Sequence, residues 1–158
     1  MTLLIKQHVF SWSDTYDVYD ETKTPKYYVK AEFFSLTHRI HIYRHSDGVE
    51  IGEIDEKFIS MYGKADITIF GSRLGSITRK LSFFKPKYAI DYNGWQIEGD
   101  FFGWDYSIRN RSGNEVAVIS KKLLSWGDTY TLEVANPDDE LTALITVIAI
   151  DMMNCDGN

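Results

Sequence analysis

Ten consecutive residues near the C-terminal end, Leu141-Thr142-Ala143-Leu144-Ile145-Thr146-Val147-Ile148-Ala149-Ile150, carry no charge and no polar group beyond two threonine hydroxyls. Just before them, Asn136-Pro137-Asp138-Asp139-Glu140 has the chemistry of a helix start. Asn caps the first free amides, Pro suits the first turn, and the three carboxylates favour the positive end of the helix dipole. The run therefore reads as a helix over about 138–152, and a helix apolar on every face must be buried on every side. It is too short to cross a bilayer, which needs ~20 apolar residues. Something else in the chain has to enclose it.

The preceding residues supply the enclosure. From Leu3 to Ala135 the sequence alternates in short runs, predicting strands at 3–10, 15–20, 26–34, 38–44, 49–54, 65–70, 75–82, 87–92, 95–100, 104–110, 115–120 and 129–135. A strand plus turn every ~11 residues is the spacing of a sandwich or barrel. Asp47-Gly48, Asn93-Gly94 and Ser112-Gly113-Asn114 offer the positive-φ positions that tight hairpins need. Alternation breaks at 55–62 and 121–126, which read as short helical turns. The prediction is a mainly β protein, a closed barrel of about twelve strands threaded by its C-terminal helix, with closure removing exposed strand edges. A shift of 65 superimposes Gly48 on Gly113, Glu50 on Glu115, Ile54 on Ile119 and Lys57 on Lys122, and a shift of 68 aligns 28–34 with 96–102. Residues 1–158 are thus expected to form one domain of two approximate half-repeats.

Composition narrows function by exclusion. With 44% hydrophobic and 15% aromatic residues, the chain has the material for a core, which disordered chains lack. A net charge of -6 argues against wrapping nucleic acid over a broad face. A lone cysteine, Cys155, allows no internal disulfide and suits a reducing cytoplasm. No secretory leader is expected at 1–8, where polar residues interrupt the apolar run, and no transmembrane segment anywhere. No phosphate-binding loop or dinucleotide fingerprint is present, and Gly71-Ser72-Arg73-Leu74-Gly75 misplaces its serine for a nucleophile elbow. The expectation is a protein that is not an enzyme and needs no cofactor.

Several motifs in order are familiar: Ile5-Lys6-Gln7, the aromatic stretch 95–106 (Trp95-Gln96-Ile97-Glu98-Gly99-Asp100-Phe101-Phe102-Gly103-Trp104-Asp105-Tyr106), then Val116-Ala117-Val118-Ile119-Ser120-Lys121-Lys122, Gly127-Asp128-Thr129-Tyr130 and the closing Ile148-Ala149-Ile150-Asp151. Together they resemble the LURP-one-related family, which sits with tubby C-terminal and phospholipid scramblase domains. The resemblance covers nearly the whole chain. It implies a twelve-stranded barrel around a hydrophobic helix but no settled activity: tubby domains bind phosphoinositides and scramblases act on phospholipids, while stand-alone members of the family are largely uncharacterised.

The clearest candidate site is basic. Between Ile67 and Ile90 lie Arg73, Arg79, Lys80, Lys85 and Lys87 with no Asp or Glu, beside Phe83, Phe84 and Pro86. Cations next to aromatics suit an anionic phospholipid surface or a phosphorylated headgroup. That implies a cytoplasmic protein peripheral to the membrane; the alternative is a protein-interaction or scaffold domain. His38, His41 and His45 do not amount to a metal site, since His41 and His45 share a strand face, His38 points away, and no further ligand stands out. Glu98, Asp100 and Asp105 lie near Trp95 and Trp104 as a glycosidase pair would, but turn-forming roles account for them better. Asp151, a carboxylate near a helix C-terminus, opposes the dipole and is expected to reach solvent or accept hydrogen bonds at the barrel mouth.

Overall fold

Alternation of inward and outward side chains carries through the whole sheet. In the computed structural model, which describes residues 1–6, 15–34, 37–57, 63–80, 87–91, 93–100, 104–124 and 127–155, twelve strands close on themselves. They are β1 (Thr2–Lys6), β2 (Thr15–Asp20), β3 (Pro25–Phe34), β4 (Thr37–Arg44), β5 (Glu50–Glu56), β6 (Lys64–Ile69), β7 (Ser72–Lys80), β8 (Lys87–Ile90), β9 (Gln96–Asp100), β10 (Asp105–Arg109), β11 (Glu115–Leu124) and β12 (Gly127–Val134). Each strand pairs antiparallel with its neighbour in sequence. β1 and β12 complete the circle in the register Leu3↔Leu132 and Ile5↔Tyr130. Ile40, Ile54, Ile67, Ile77, Ile97, Ile108, Ile119 and Leu132 point inward and are fully buried.

A single 3-10 turn (Pro137–Asp139), capped by the Asn136 side chain, leads into α1 (Glu140–Cys155). Every residue of α1 from Ala143 to Ile150 is buried, so the apolar run is the barrel's filling. Its polar members are accommodated locally: the Thr146 hydroxyl donates to the Thr142 carbonyl at 2.7 Å. On the barrel wall Gly52 makes room for the helix, since a Cβ there would lie 2.7 Å from Ile145 Cδ1.

Two expectations need correction. Residues 55–56 and 121–124 are not helical turns: β5 runs on to Glu56 and β11 to Leu124, each paired throughout, as in Lys121↔Tyr130 and Leu124↔Gly127. Broken alternation in sequence did not break the ladder, because cross-strand pairing rather than side-chain pattern holds a strand at its ends. Lys57 is not helical either, its amide donating to the Lys64 carbonyl; the rest of those two stretches, 58–62 and 125–126, lies outside the described residues, as do 7–10 of the first expected strand. The turn glycines behave as read, with φ of 68° at Gly48, 71° at Gly94 and 81° at Gly113.

Candidate site at the helix C-terminal rim

The barrel has a near rim, where α1 begins, and a far rim, where it ends. At the far rim β6 starts, β7 ends and β8 starts, and strand parity decides what each presents there. Lys80 and Lys87 face each other directly across β7–β8, both on the outer surface. Lys64 pairs in register with Thr78, two residues before Lys80, and so continues the outward row onto β6. Lys87 reaches Glu98 at 2.7 Å. Lys64 and Lys80 have no ion-pair partner among the described residues. A shallow outer cleft of about 70 Å³ runs beside Lys80, Lys87, Gln96 and Glu98.

The structure brings together only part of the basic segment read from sequence. Arg73 sits six residues from Arg79 along β7, roughly 20 Å at ~3.3 Å per residue. It is committed to Asp66, with Nη2 donating to Oδ1 at 2.9 Å and to Ser76 Oγ at 3.1 Å. Arg79 has the parity of Ile77 and turns toward the barrel mouth, half-buried, where its charge acts on the Tyr88 phenol. Lys85, with Phe83, Phe84 and Pro86, lies outside the described residues. Lys64 was missed because it falls outside the 67–90 window; the β6–β7 register, not local composition, adds it.

Inside the same rim the last turns of α1 meet a polar ring. Tyr88 donates its hydroxyl to Asn154 Oδ1 at 2.6 Å. His38 points inward and its Nδ1 lies 2.8 Å from Glu56 Oε2. Tyr106 is buried, and desolvation, with the Asp151 charge second, pushes its phenol well up. Asp151 itself is raised to about 7 by burial. The residue keeps partial exposure at the barrel mouth, while its Oδ2 is enclosed and has no hydrogen-bond partner. Nor does α1 have a basic residue in its last turn. Trp104 adopts φ of 54°, a strained value for a bulky residue, and stacks on Tyr130 with ring centroids 3.8 Å apart.

Other sequence candidates fall elsewhere. Glu98 is taken up by Lys87, and Asp100 and Asp105 face each other on exposed surface across β9–β10. Gly99 has the structural role expected of a bend: at φ of 147° its missing Cβ leaves space for Tyr106, which would otherwise lie 2.5 Å away. Gly103 is outside the described residues. Ser72 opens β7 on exposed surface, and Cys155 is the last residue of α1. A larger outer groove of about 340 Å³, over Tyr28, Lys30, Tyr43, Arg44, His45 and Gly48, offers two cations, Lys30 and Arg44, that are already paired. Lys30 binds Glu32 at 2.7 Å, Arg44 lies 3.5 Å from Asp47, and His45 lies 3.8 Å from Asp17. Among the described residues no helix is long and apolar enough to cross a membrane.

Comparison with known proteins adds lineage to this geometry. Residues 1–151 match the family described as LURP-one-related. Over 152 residues the chain is 34% identical to the uncharacterized protein YxjI of Bacillus subtilis (strain 168), covering 96% of this chain and 92% of that protein. A crystal structure of a protein from Arabidopsis thaliana, AT5G01750, has the same fold with a TM-score of 0.66 at 15% identity, over 96% of this chain and 89% of that one.

Proposed function

This chain belongs to the LURP-one-related family, and from that premise we propose that it is a non-enzymatic binding domain whose far rim engages the phosphorylated headgroups of an anionic phospholipid surface. The observation that carries the reading is the pairing of Lys80 with Lys87 across β7–β8, with Lys64 next in the row. Like charges directly opposite one another destabilise a sheet. One carboxylate, Glu98, offsets part of that repulsion, and a bound anion would offset the rest. The barrel is filled by its own helix, so a ligand of this domain is met on its surface rather than in a central cavity.

Each lysine near an anionic leaflet contributes ~1 kcal/mol, so Lys64, Lys80 and Lys87 together give roughly 3 kcal/mol. Binding is therefore weak, reversible and sensitive to salt. The test is co-sedimentation with phosphatidylserine-containing and with purely phosphatidylcholine vesicles, run beside a titration with a soluble inositol phosphate. Wild type should sediment with the anionic vesicles only, Lys80→Glu with Lys87→Glu should abolish this, and Arg73→Glu, at the other end of β7, should not. Binding to the soluble phosphate but not to vesicles would assign the rim to free phosphorylated ligands. No binding to either would remove the anion reading and favour a protein partner. The surface for that second reading is Phe70, 65% exposed at φ of 48°, beside Val49, 46% exposed, on the near rim.

A further inference from the structure

We propose that His41, Glu50 and Glu53 form a site for one divalent metal ion, with zinc the best chemical fit, on the outer face of β4 and β5. The three histidines give no hint of it in sequence, since the other ligands come from the neighbouring strand. His41 faces outward from β4, and Glu53 is its direct cross-strand partner. Glu50 is an odd number of residues from Glu53 and would point to the opposite face of a regular strand. A bulge prevents that: the register passes from Ile42↔Gly52 to Tyr43↔Glu50, leaving Ile51 as the extra residue and turning Glu50 outward beside Glu53.

Distances match the chemistry. Nδ1 of His41 lies 3.3 Å from Glu50 Oε2 and 4.0 Å from Glu53 Oε2, and one ligand atom from each of the three residues falls within 4.8 Å of the others. Ligands ~2.0–2.2 Å from a tetrahedral zinc sit roughly 3.3–3.6 Å apart, so carboxylate shifts of about 1 Å close the site. His41 Nδ1 is buried and has no hydrogen-bond partner, which is costly for a ring nitrogen unless something binds it. On the other side of the ring, Nε2 faces Glu32 Oε2 at 3.8 Å. That is the place of the carboxylate which orients a metal-bound imidazole through its second N–H. Lys30 holds Glu32 at 2.7 Å, and Arg39 Nε lies 3.7 Å from Oε1 of Glu53, the oxygen not facing His41. One imidazole and two carboxylates suit zinc and leave its fourth position to water.

The experiment is calorimetric titration of the chelator-stripped protein with zinc chloride near neutral pH, for wild type, His41→Gln, Glu53→Gln, Glu32→Gln and His45→Gln. All four substituted side chains face outward, and circular dichroism verifies that each variant is folded. Wild type should bind one zinc per chain, and His41→Gln and Glu53→Gln should each weaken it at least tenfold. Glu32→Gln should weaken it by about tenfold, as for other groups that orient a metal ligand, and His45→Gln should leave it unchanged. No zinc uptake by wild type would overturn the proposal and leave His41 as a surface imidazole beside carboxylates. Uptake undiminished in His41→Gln would overturn it equally, placing the metal elsewhere.

Discussion

The two ends of the central helix each carry a carboxylate, and the barrel treats them oppositely. At the near rim Glu140 is buried but fully engaged: Lys26 Nζ lies 2.7 Å from Oε1 and donates to Oε2 at 2.8 Å, and the Tyr27 hydroxyl donates to it as well. Its charge also lies at the favourable end of the dipole. The turns around it are similarly settled, with Asp20 accepting from Thr22 and Thr24 and Asn110 accepting from the amides of Ser112 and Asn114. At the far rim Asp151 lies at the unfavourable end of the dipole with an enclosed, unbonded Oδ2. There Lys80 also faces Lys87, and Asp100 faces Asp105. Among the described residues, the near rim pairs the carboxylate of its helix end, whereas the far rim leaves Asp151 Oδ2 unbonded and sets Lys80 against Lys87 with Glu98 as the carboxylate beside them.

Four substitutions break or sharpen this contrast. The largest effect belongs to Ile145→Asp, which puts a carboxylate midway along α1 with neither Glu140's partners nor Asp151's closeness to the rim. An unpaired charge there costs several kcal/mol; the protein should lose cooperative melting, and an unchanged melting temperature would refute the central-helix account. Next is Asp151→Asn. Folding raises this group from an ordinary 3.8 to about 7, so the native state holds a proton that the unfolded chain releases. Stability is then fully present below about pH 4 and lost as pH rises toward 7, by up to about 4 kcal/mol. Asp151→Asn should therefore melt higher than wild type at pH 8 and like it at pH 4; equal melting at both would show the carboxylate to be solvated.

The near rim should respond in the opposite sense. Glu140→Ala leaves the buried Tyr27 hydroxyl unpaired and removes the charge at the helix start, for a loss of about 2–3 kcal/mol at neutral pH. A denaturant midpoint equal to wild type would show that Glu140 is not holding the helix in place. Smallest is Lys26→Met, which removes the more exposed partner of that ion pair and should cost at most ~1 kcal/mol. A loss as large as that of Glu140→Ala would mean that the ammonium, not the phenol, secures Glu140.

Much of this architecture was legible in the sequence. The cap-and-proline start, the uncharged run behind it and the spacing of turns specified a threaded barrel, because burial on all sides admits few other solutions. The site was less legible, and for specific reasons. Arg79 and Ile77 are two residues apart, so the inward turn of Arg79 follows from parity, whereas counting charges in a window hides it. Lys64 joins Lys80 and Lys87 only through the β6–β7 register. Glu50 joins Glu53 only through a bulge that nothing in the local sequence announces. Asp151 was recognisably awkward, but whether its oxygens found partners depended on side chains from β8 and β10, far away in the chain.

The claim that the far rim is the binding end is tested most directly by mapping where an anionic membrane touches the chain. Backbone amide shifts of the isotope-labelled protein would be followed while phosphatidylserine-containing bicelles are added at low salt. The account predicts perturbations at Lys64, at 77–80 and at 87–88, reversed by added salt, with the near-rim turns at 45–49, 70–71 and 110–114 unmoved. Perturbations centred on those near-rim turns, or none at either rim, would contradict it.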